Sequence, residues 1–311
     1  MKNYGKIAVL AGGPSSEREI SLKSGRAVYE ALKRKKQDVD FVDADNDFCE
    51  KLKSIGADVV FIALHGKFGE DGSVQAILEE LNLPYTGSEI KSSRLAIDKA
   101  ASREVFLTSG LKVPRYKIIK RDTEIRDILE EFEKPFVVKP QYEGSSIGLS
   151  IVGDSAGVDA ALNTAFSYSD RVIVEEYIHG REFTVGVLEE RPLPVIEIET
   201  RHDVYDFNAK YMDEETKYIV PAILGEDEYR DVQRYALKAH QALGCRDFSR
   251  VDMRTGRHGE MYILEVNTIP GMTERSLLPK AALAVGISFG DLCMKLVDLA
   301  CKRRRAENGE I

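Results

Sequence analysis

Residues 6–11 (Lys-Ile-Ala-Val-Leu-Ala) form a near-continuous apolar run, the pattern of a parallel strand covered on both faces. Gly12-Gly13-Pro14 ends it. Ser16 with Glu19 then fits a capping box, and Ile20, Ala27, Val28, Ala31 and Leu32 recur on one helical face. Val39–Val42 reads as a second strand, a helix is expected near 46–55, and 57–64 reads as a third strand. This β-α-β-α-β order predicts a doubly wound α/β domain whose ligand-facing loops, Gly12–Glu19 and His65–Ser73, follow the strand C-termini.

A helix over about 92–109, broken by Gly110 and Pro114, comes next, and the pattern then changes. Short strands near 115–119, 135–139, 149–152, 171–177, 182–188 and 193–199 alternate with helices near 123–132 and 155–166, an α+β arrangement. Residues 200–225 lack a clear period and suit a lid better than a linker. A helix over 226–243 precedes strands at 248–254 and 260–266, joined by Thr-Gly-Arg-His-Gly. The last helix is expected near 287–303, its Lys302–Arg305 run suiting the negative end of the helix dipole.

A chain of 311 residues is too long for one ordinary core, and two or three domains of about 100–150 residues are expected. The 43% hydrophobic and 31% charged residues are a globular composition. A net charge of −8 argues against a nucleic-acid reader, so an anionic ligand must meet locally placed cations and N–H groups. Cys49, Cys245, Cys293 and Cys301 form no C-x-x-C pair, which disfavours a zinc or redox site and suits a reducing cytoplasm. The N-terminal apolar run is too short for a signal peptide, and no run approaches the length of a membrane span. A soluble, cytoplasmic protein without membrane or nucleic-acid partners is expected.

Strand alternation puts Arg250 and Asp252 on one face of the penultimate strand, and Glu265 and Asn267 on one face of the last. Two carboxylates and an amide oxygen are hard ligands suited to Mg²⁺, which prefers a few protein oxygens together with substrate phosphates. Arg250 beside them suits a developing oxyanion. The bland alternative is a solvated surface hairpin, disfavoured by the Asn-Thr-Ile-Pro-Gly turn that follows.

Lys139-Pro140, then Gly144-Ser145-Ser146-Ile147-Gly148 between two strands, is a loop able to fold over phosphates. It is not a Walker A string, and Gly-Ser-Ser turns are common. Glu175-Glu176-Tyr177-Ile178, with Gly180-Arg181-Glu182 after it, could meet a base edge and ribose hydroxyls, although adjacent glutamates are more often solvated. Glu17 and His65, in the first and third loops of the α/β domain, are poised for a small cationic group such as an amino acid's ammonium. The Gly12-Gly13 loop lacks the dinucleotide fingerprint, which disfavours a hydride-transferring dehydrogenase. His179, His202, His240 and His258 share no ligand spacing and read as surface residues.

Taken together, these strings resemble the D-alanine–D-alanine ligases. The resemblance is carried by Gly12-Gly13-Pro-Ser-Ser-Glu17-Arg-Glu-Ile-Ser, His65-Gly and Gly69-Glu-Asp-Gly72, Pro84-Tyr-Thr-Gly-Ser88, and Asp98-Lys99. It continues in Glu143-Gly-Ser-Ser-Ile-Gly148, Ala209-Lys210-Tyr211, Arg250-Val-Asp252 and Glu265-Val-Asn-Thr-Ile-Pro-Gly-Met-Thr273 with Ser276-Leu277. It implies an ATP-grasp enzyme: a Rossmann-like substrate domain (1–95), a central ATP-grasp subdomain (96–180) and a C-terminal one (181–311) with the metal site and a lid near 200–225.

By the same resemblance, Lys99, Lys139, Glu175, Tyr177, Ile178, Glu182, Lys210 and Asn267 would bind ATP. Asp252, Glu265 and Asn267 would hold two Mg²⁺, with Mn²⁺ able to substitute. Glu17 and His65 would orient the first D-alanine, and Arg250 with the Gly271 N–H would form the oxyanion hole. Ser276 and Leu277 would take the second D-alanine, and Ser145 and Tyr211 would lock the lid toward Glu17. Glu176 stands where some members carry Lys, leaving one adenine contact open. The product would be D-alanyl-D-alanine for peptidoglycan, made by a homodimer. Three rivals stay open: a sibling ligase taking D-lactate or D-serine second, another ATP-grasp carboxylate–amine ligase, and a nucleotide-binding regulator without catalysis.

Overall fold

The computed structural model describes residues 4–200 and 216–307. The first sheet is parallel, in the order β2 (Val39–Asp43), β1 (Ile7–Ala11), β3 (Val59–Ile62). Every residue of β1 and β3 is buried, which is why both read as unbroken apolar runs rather than alternating ones. Helices α1 (Arg18–Arg34), α2 (Phe48–Ser54) and α3 (Ser73–Glu80) connect and flank these strands. The capping box does not form. Glu17 is the N-cap residue of α1 and makes no side-chain cap bond, while Ser16 Oγ donates to Glu143 Oε2 at 3.2 Å.

The helix expected over 92–109 is two helices, α4 (Ile90–Ile97) and α5 (Lys99–Thr108). Asp98 between them adopts an extended conformation, and its carboxylate accepts from the N–H groups of Ala100 and Ala101 at 3.0 and 3.1 Å. A side-chain cap for the second helix therefore replaces the continuing ladder.

An antiparallel sheet follows, in the order β4 (Tyr116–Ile119), β7 (Val172–Glu176), β5 (Phe136–Pro140), β6 (Ser150–Val152). It is backed by α6 (Ile125–Glu131) and α7 (Val158–Phe166), whose apolar faces share one core with it. The third sheet runs β11 (Lys217–Ile219), β10 (Ile196–Glu199), β8 (Glu182–Leu188), β12 (Phe248–Thr255), β13 (Met261–Asn267), with the short β9 (Arg191–Pro192) against β8. Its amphipathic helix α8 (Glu226–Ala242) buries Val232, Ala236 and Ala239 against that sheet.

The last two helices, α9 (Leu277–Ala284) and α10 (Phe289–Glu307), return to the first sheet. Leu278, Leu292, Leu296 and Val297 share one core with Ile7, Val9, Val59 and Phe61. The basic end of α10 does more than face the helix dipole: Arg303 bonds Asp247 and the Tyr85 carbonyl, and Arg304 bonds the Asn82 carbonyl. Among the described residues, no helix is long and apolar enough to cross a membrane. The four cysteines are free thiols. His240, expected at the surface, is fully buried, its ring nitrogens 2.7 Å from Ser249 Oγ and 3.2 Å from Glu190 Oε1. Spacing along the chain carries no sign of those two partners, which β12 and the turn after β8 supply.

Candidate active site

Two clefts meet on the β12–β13 pair. Register sets Asp252 opposite Glu265 and Arg250 opposite Asn267, so the alternation expected from sequence brings all four together. Strand β12 is central, flanked by β8 on its other side, and Thr184 opposite Asp252 donates to Asp252 Oδ1 at 2.6 Å. Arg250 grips the same carboxylate in a fork, Nε to Oδ1 at 2.8 Å and Nη2 to Oδ2 at 2.7 Å. Asn267 Nδ2 donates to Oδ2 at 3.1 Å, which turns its amide oxygen away from that carboxylate. Lys99 Nζ lies 3.8 Å from Glu265.

The first cleft lies between the two antiparallel sheets. Lys99, Lys139, Glu175, Tyr177, Ile178, Glu182, Asp252 and Glu265 all line it, with Glu176 at its edge accepting from the Arg115 N–H at 2.9 Å. The walls combine apolar Val137, Ile147, Leu149 and Leu264 with the cations Lys99, Lys139 and Arg254. Such a cleft takes a flat base and an anionic tail. Glu175 is not a free recognition group: it is 3% exposed, pairs with Lys139 at 2.7 Å and is bonded by Arg103, which is fully buried. Burial opposes its ionisation, but Arg103 and Lys139 together hold its carboxyl below the usual carboxylate range. Arg254, over the Tyr177 ring at 5.0 Å and 3.5 Å from Glu182, is a further cation here.

The second cleft is lined by Glu17, His65, Ser145, Arg250, Asn267, Gly271, Ser276 and Leu277. A smaller cavity joins the two, sharing Lys99 and Glu265 with the first and Asn267, Gly144 and Glu70 with the second. Glu17 is 3% exposed, and Ser145 Oγ donates to it. Space around that carboxylate exists because two residues lack a side chain. A Cβ on Gly66 (φ +68°) would sit 2.4 Å from Glu17 Oε2, and one on Gly144 2.9 Å. Ser276 Oγ accepts from the Thr273 N–H at 3.0 Å and would be 3.1 Å from a Cβ on Gly271, so the turn carrying the Gly271 N–H is tightly drawn.

His65 lines this pocket with both ring nitrogens engaged, Nδ1 with the Ile269 carbonyl and Nε2 with Ser24 Oγ, each at 2.9 Å. Burial holds its pKa down at about 4, and the Arg250 charge acts in the same direction, so the ring is neutral. Glu70, absent from the sequence-based set, is pushed up to about 8 by burial and by the nearby Glu17 carboxylate. Ala209, Lys210, Tyr211, His202 and most of the expected lid lie outside the described residues.

The donor set fits Mg²⁺. Among the described residues no cluster of three or more His, Cys, Asp or Glu side chains occurs. A pair of carboxylates with one amide is nevertheless what this ion takes when substrate phosphates complete its shell. A cleft lined by a carboxylate (Glu17) and a guanidinium (Arg250) matches an amino acid, with its ammonium at the first and its carboxylate at the second.

Family models decide the kinship. The D-ala D-ala ligase C-terminus matches residues 105–298, and the D-ala D-ala ligase N-terminus matches 6–53 and 45–88. This chain belongs to the D-alanine–D-alanine ligase family. It is 46% identical over 299 residues to the D-alanine–D-alanine ligase of Syntrophotalea carbinolica, covering 96% of this chain and 97% of that one. With the Nitrosomonas eutropha ligase it shares 42% over 302 residues, 97% of this chain and 99% of the relative.

Among solved structures, the Bacillus anthracis D-alanine–D-alanine ligase complexed with ATP superposes with a TM-score of 0.84 at 32% identity, over 97% of this chain and 99% of that one. The VanG D-Ala:D-Ser ligase of Enterococcus faecalis gives 0.82 at 33%, over 96% and 100%. The ATP-grasp architecture implied by the sequence strings is therefore the fold of this D-alanine–D-alanine ligase family member.

Proposed function

We propose that this chain joins two D-alanines into D-alanyl-D-alanine, a peptidoglycan precursor, at the expense of ATP. The observation that carries this reading is the meeting of the two clefts on Arg250, Asp252, Glu265 and Asn267. A carboxylate is a poor acyl donor. In this reading ATP lies in the first cleft, with Lys99 and Lys139 beside its phosphates and the Tyr177-Ile178 segment beside its base. The first D-alanine lies in the second, its ammonium at Glu17 and its carboxylate at Arg250.

A carboxylate oxygen attacks the terminal phosphorus, ADP leaves, and an acyl phosphate forms. The free amine of the second D-alanine, held by Ser276 and Leu277, attacks the acyl carbon. Arg250 and the Gly271 N–H stabilise the resulting oxyanion, phosphate departs with the former carboxylate oxygen, and the amine loses its proton. When bound at Asp252, Glu265 and Asn267, Mg²⁺ (or Mn²⁺) supplies positive charge that disperses the charge of the transferred group. The Ser145–Glu17 bond closes the Gly144–Gly148 loop over the reaction and excludes water from the acyl phosphate. Lys210 and Tyr211 complete the site in this reading, which further takes the enzyme to be a cytoplasmic homodimer of three domains.

The likeness to a D-Ala:D-Ser ligase favours one rival, a different second substrate. ADP release is to be measured with D-alanine alone and with D-lactate or D-serine added. Full turnover on D-alanine alone is expected, and turnover only in a mixture would overturn the choice of second substrate.

A further inference from the structure

Three side chains from α1 and the loop after β3 grip one turn just past β13. Glu70 Oε1 accepts from the Ile269 N–H at 3.2 Å while Oε2 accepts from the Gly66 N–H at 2.7 Å. His65 Nδ1 meets the Ile269 carbonyl at 2.9 Å. A carbonyl only accepts, so Nδ1 carries the proton and Nε2 must accept. Ser24 Oγ, 2.9 Å from Nε2, therefore donates to it, and the same oxygen accepts from the Met272 N–H at 3.2 Å. Ser24 is fully buried, so each of its bonds has a fixed direction.

Both polar groups of Ile269 are thus held by side chains from another part of the chain, and Met272 is held by a third. Asn267 lies just before this clamped stretch, and Gly271 lies inside it. We propose that Glu70 and Ser24 are positioning residues that, with His65, aim the Asn267 amide and the Gly271 N–H at the reacting carboxyl; this rests on the ligase reading above. Glu70 suits the task because its two carboxyl oxygens accept from N–H groups of two separate segments, Gly66 and Ile269. A glutamine there would keep one acceptor oxygen and turn an NH₂ group toward the other N–H.

Glu70→Ala, Ser24→Ala and the double variant test the clamp. Each single change is expected to lower kcat about 10- to 100-fold, the cost of a small misplacement of catalytic groups. The KM for ATP changes less than kcat, because none of the three clamp side chains lines the ATP cleft. The double variant loses less than the product of the two single losses, since both act through one turn. Amide exchange, read by mass spectrometry without substrate, speeds up at least about tenfold at Ile269 in Glu70→Ala and at Met272 in Ser24→Ala, on loss of the hydrogen bond each N–H makes.

Wild-type kcat in either single variant, a higher KM for the first amino acid with kcat unchanged, or independent losses in the double variant would each overturn the proposal. Exchange that stays at the wild-type rate would overturn it whatever the enzyme's substrate. A wild-type protein that releases no ADP with D-alanine, yet shows the faster exchange in its variants, would instead refute the ligase reading and leave the clamp standing.

Discussion

His65 offers a prediction whose sign and size both follow from its surroundings. The imidazole is 4% exposed, donates from Nδ1 to the Ile269 carbonyl and accepts at Nε2. Protonating it would reverse the direction of the Ser24 bond and bury a charge near Arg250. Its pKa, about 4, lies below the ordinary value of 6.5 mainly through burial. As pH falls, the unfolded chain takes up a proton that the folded chain refuses. The stability that His65 contributes is therefore complete above 6.5 and is lost progressively as pH falls toward 4. At pH 5 the unfolded chain has gained about 2 kcal/mol from this one group.

Urea unfolding of the wild type and His65→Gln at pH 7.5 and pH 5 isolates the effect, because the variant carries every other titrating group. The wild type is expected to lose about 2 kcal/mol more than the variant between those two pH values. Equal losses would show that the ring is charged or exposed, and would undo the tautomer assignment. Nitrogen chemical shifts of the imidazole give a second check: a proton fixed on Nδ1 from pH 5 to pH 8 is expected.

Removing one charge from the proposed metal-ligand pair, by Asp252→Asn or Glu265→Gln, should lower single-turnover chemistry about 10³-fold, the loss of several kcal/mol of charge stabilisation. D-alanine binding should change far less, and near-normal chemistry in either variant would refute the assignment. Glu175→Gln leaves Arg103 and Lys139 as two buried cations without their shared anion. It should destabilise the protein by about 3–5 kcal/mol in thermal melts, with partial recovery when ATP brings negative charge to the cleft. An unchanged melting temperature would contradict the charge argument. Glu17→Gln should raise the KM for the first D-alanine with little effect on the KM for ATP; an unchanged KM for D-alanine would count against the ammonium contact.

Much of the site was legible because the chemistry lies on strands. Period two alone set Arg250 with Asp252, and the antiparallel register then brought Glu265 and Asn267 opposite them. The three parallel strands were legible for the converse reason, since burial on both faces leaves no polar alternation. What stayed hidden depends on contacts between distant segments. Arg103 reads as one more helical cation until Glu175 meets it, and Glu70 reads as a loop acid until the Ile269 N–H reaches it. The break at Asp98 was masked because the apolar rhythm of α4 resumes in α5, although an Asp before Lys-Ala-Ala is a usable cap signal. Helix α9 was missed because its residues are mostly small or apolar and show no polar face to set a period.

The central claim is that a D-alanine carboxylate is phosphorylated before the peptide bond forms. Labelling that carboxylate with ¹⁸O and analysing the released phosphate by mass spectrometry tests it most directly, because the bridging oxygen of an acyl phosphate leaves with phosphorus. One ¹⁸O in inorganic phosphate for each D-alanyl-D-alanine formed is the predicted result. Dipeptide formed with unlabelled phosphate would contradict the mechanism, and label transferred without dipeptide would contradict the proposed product.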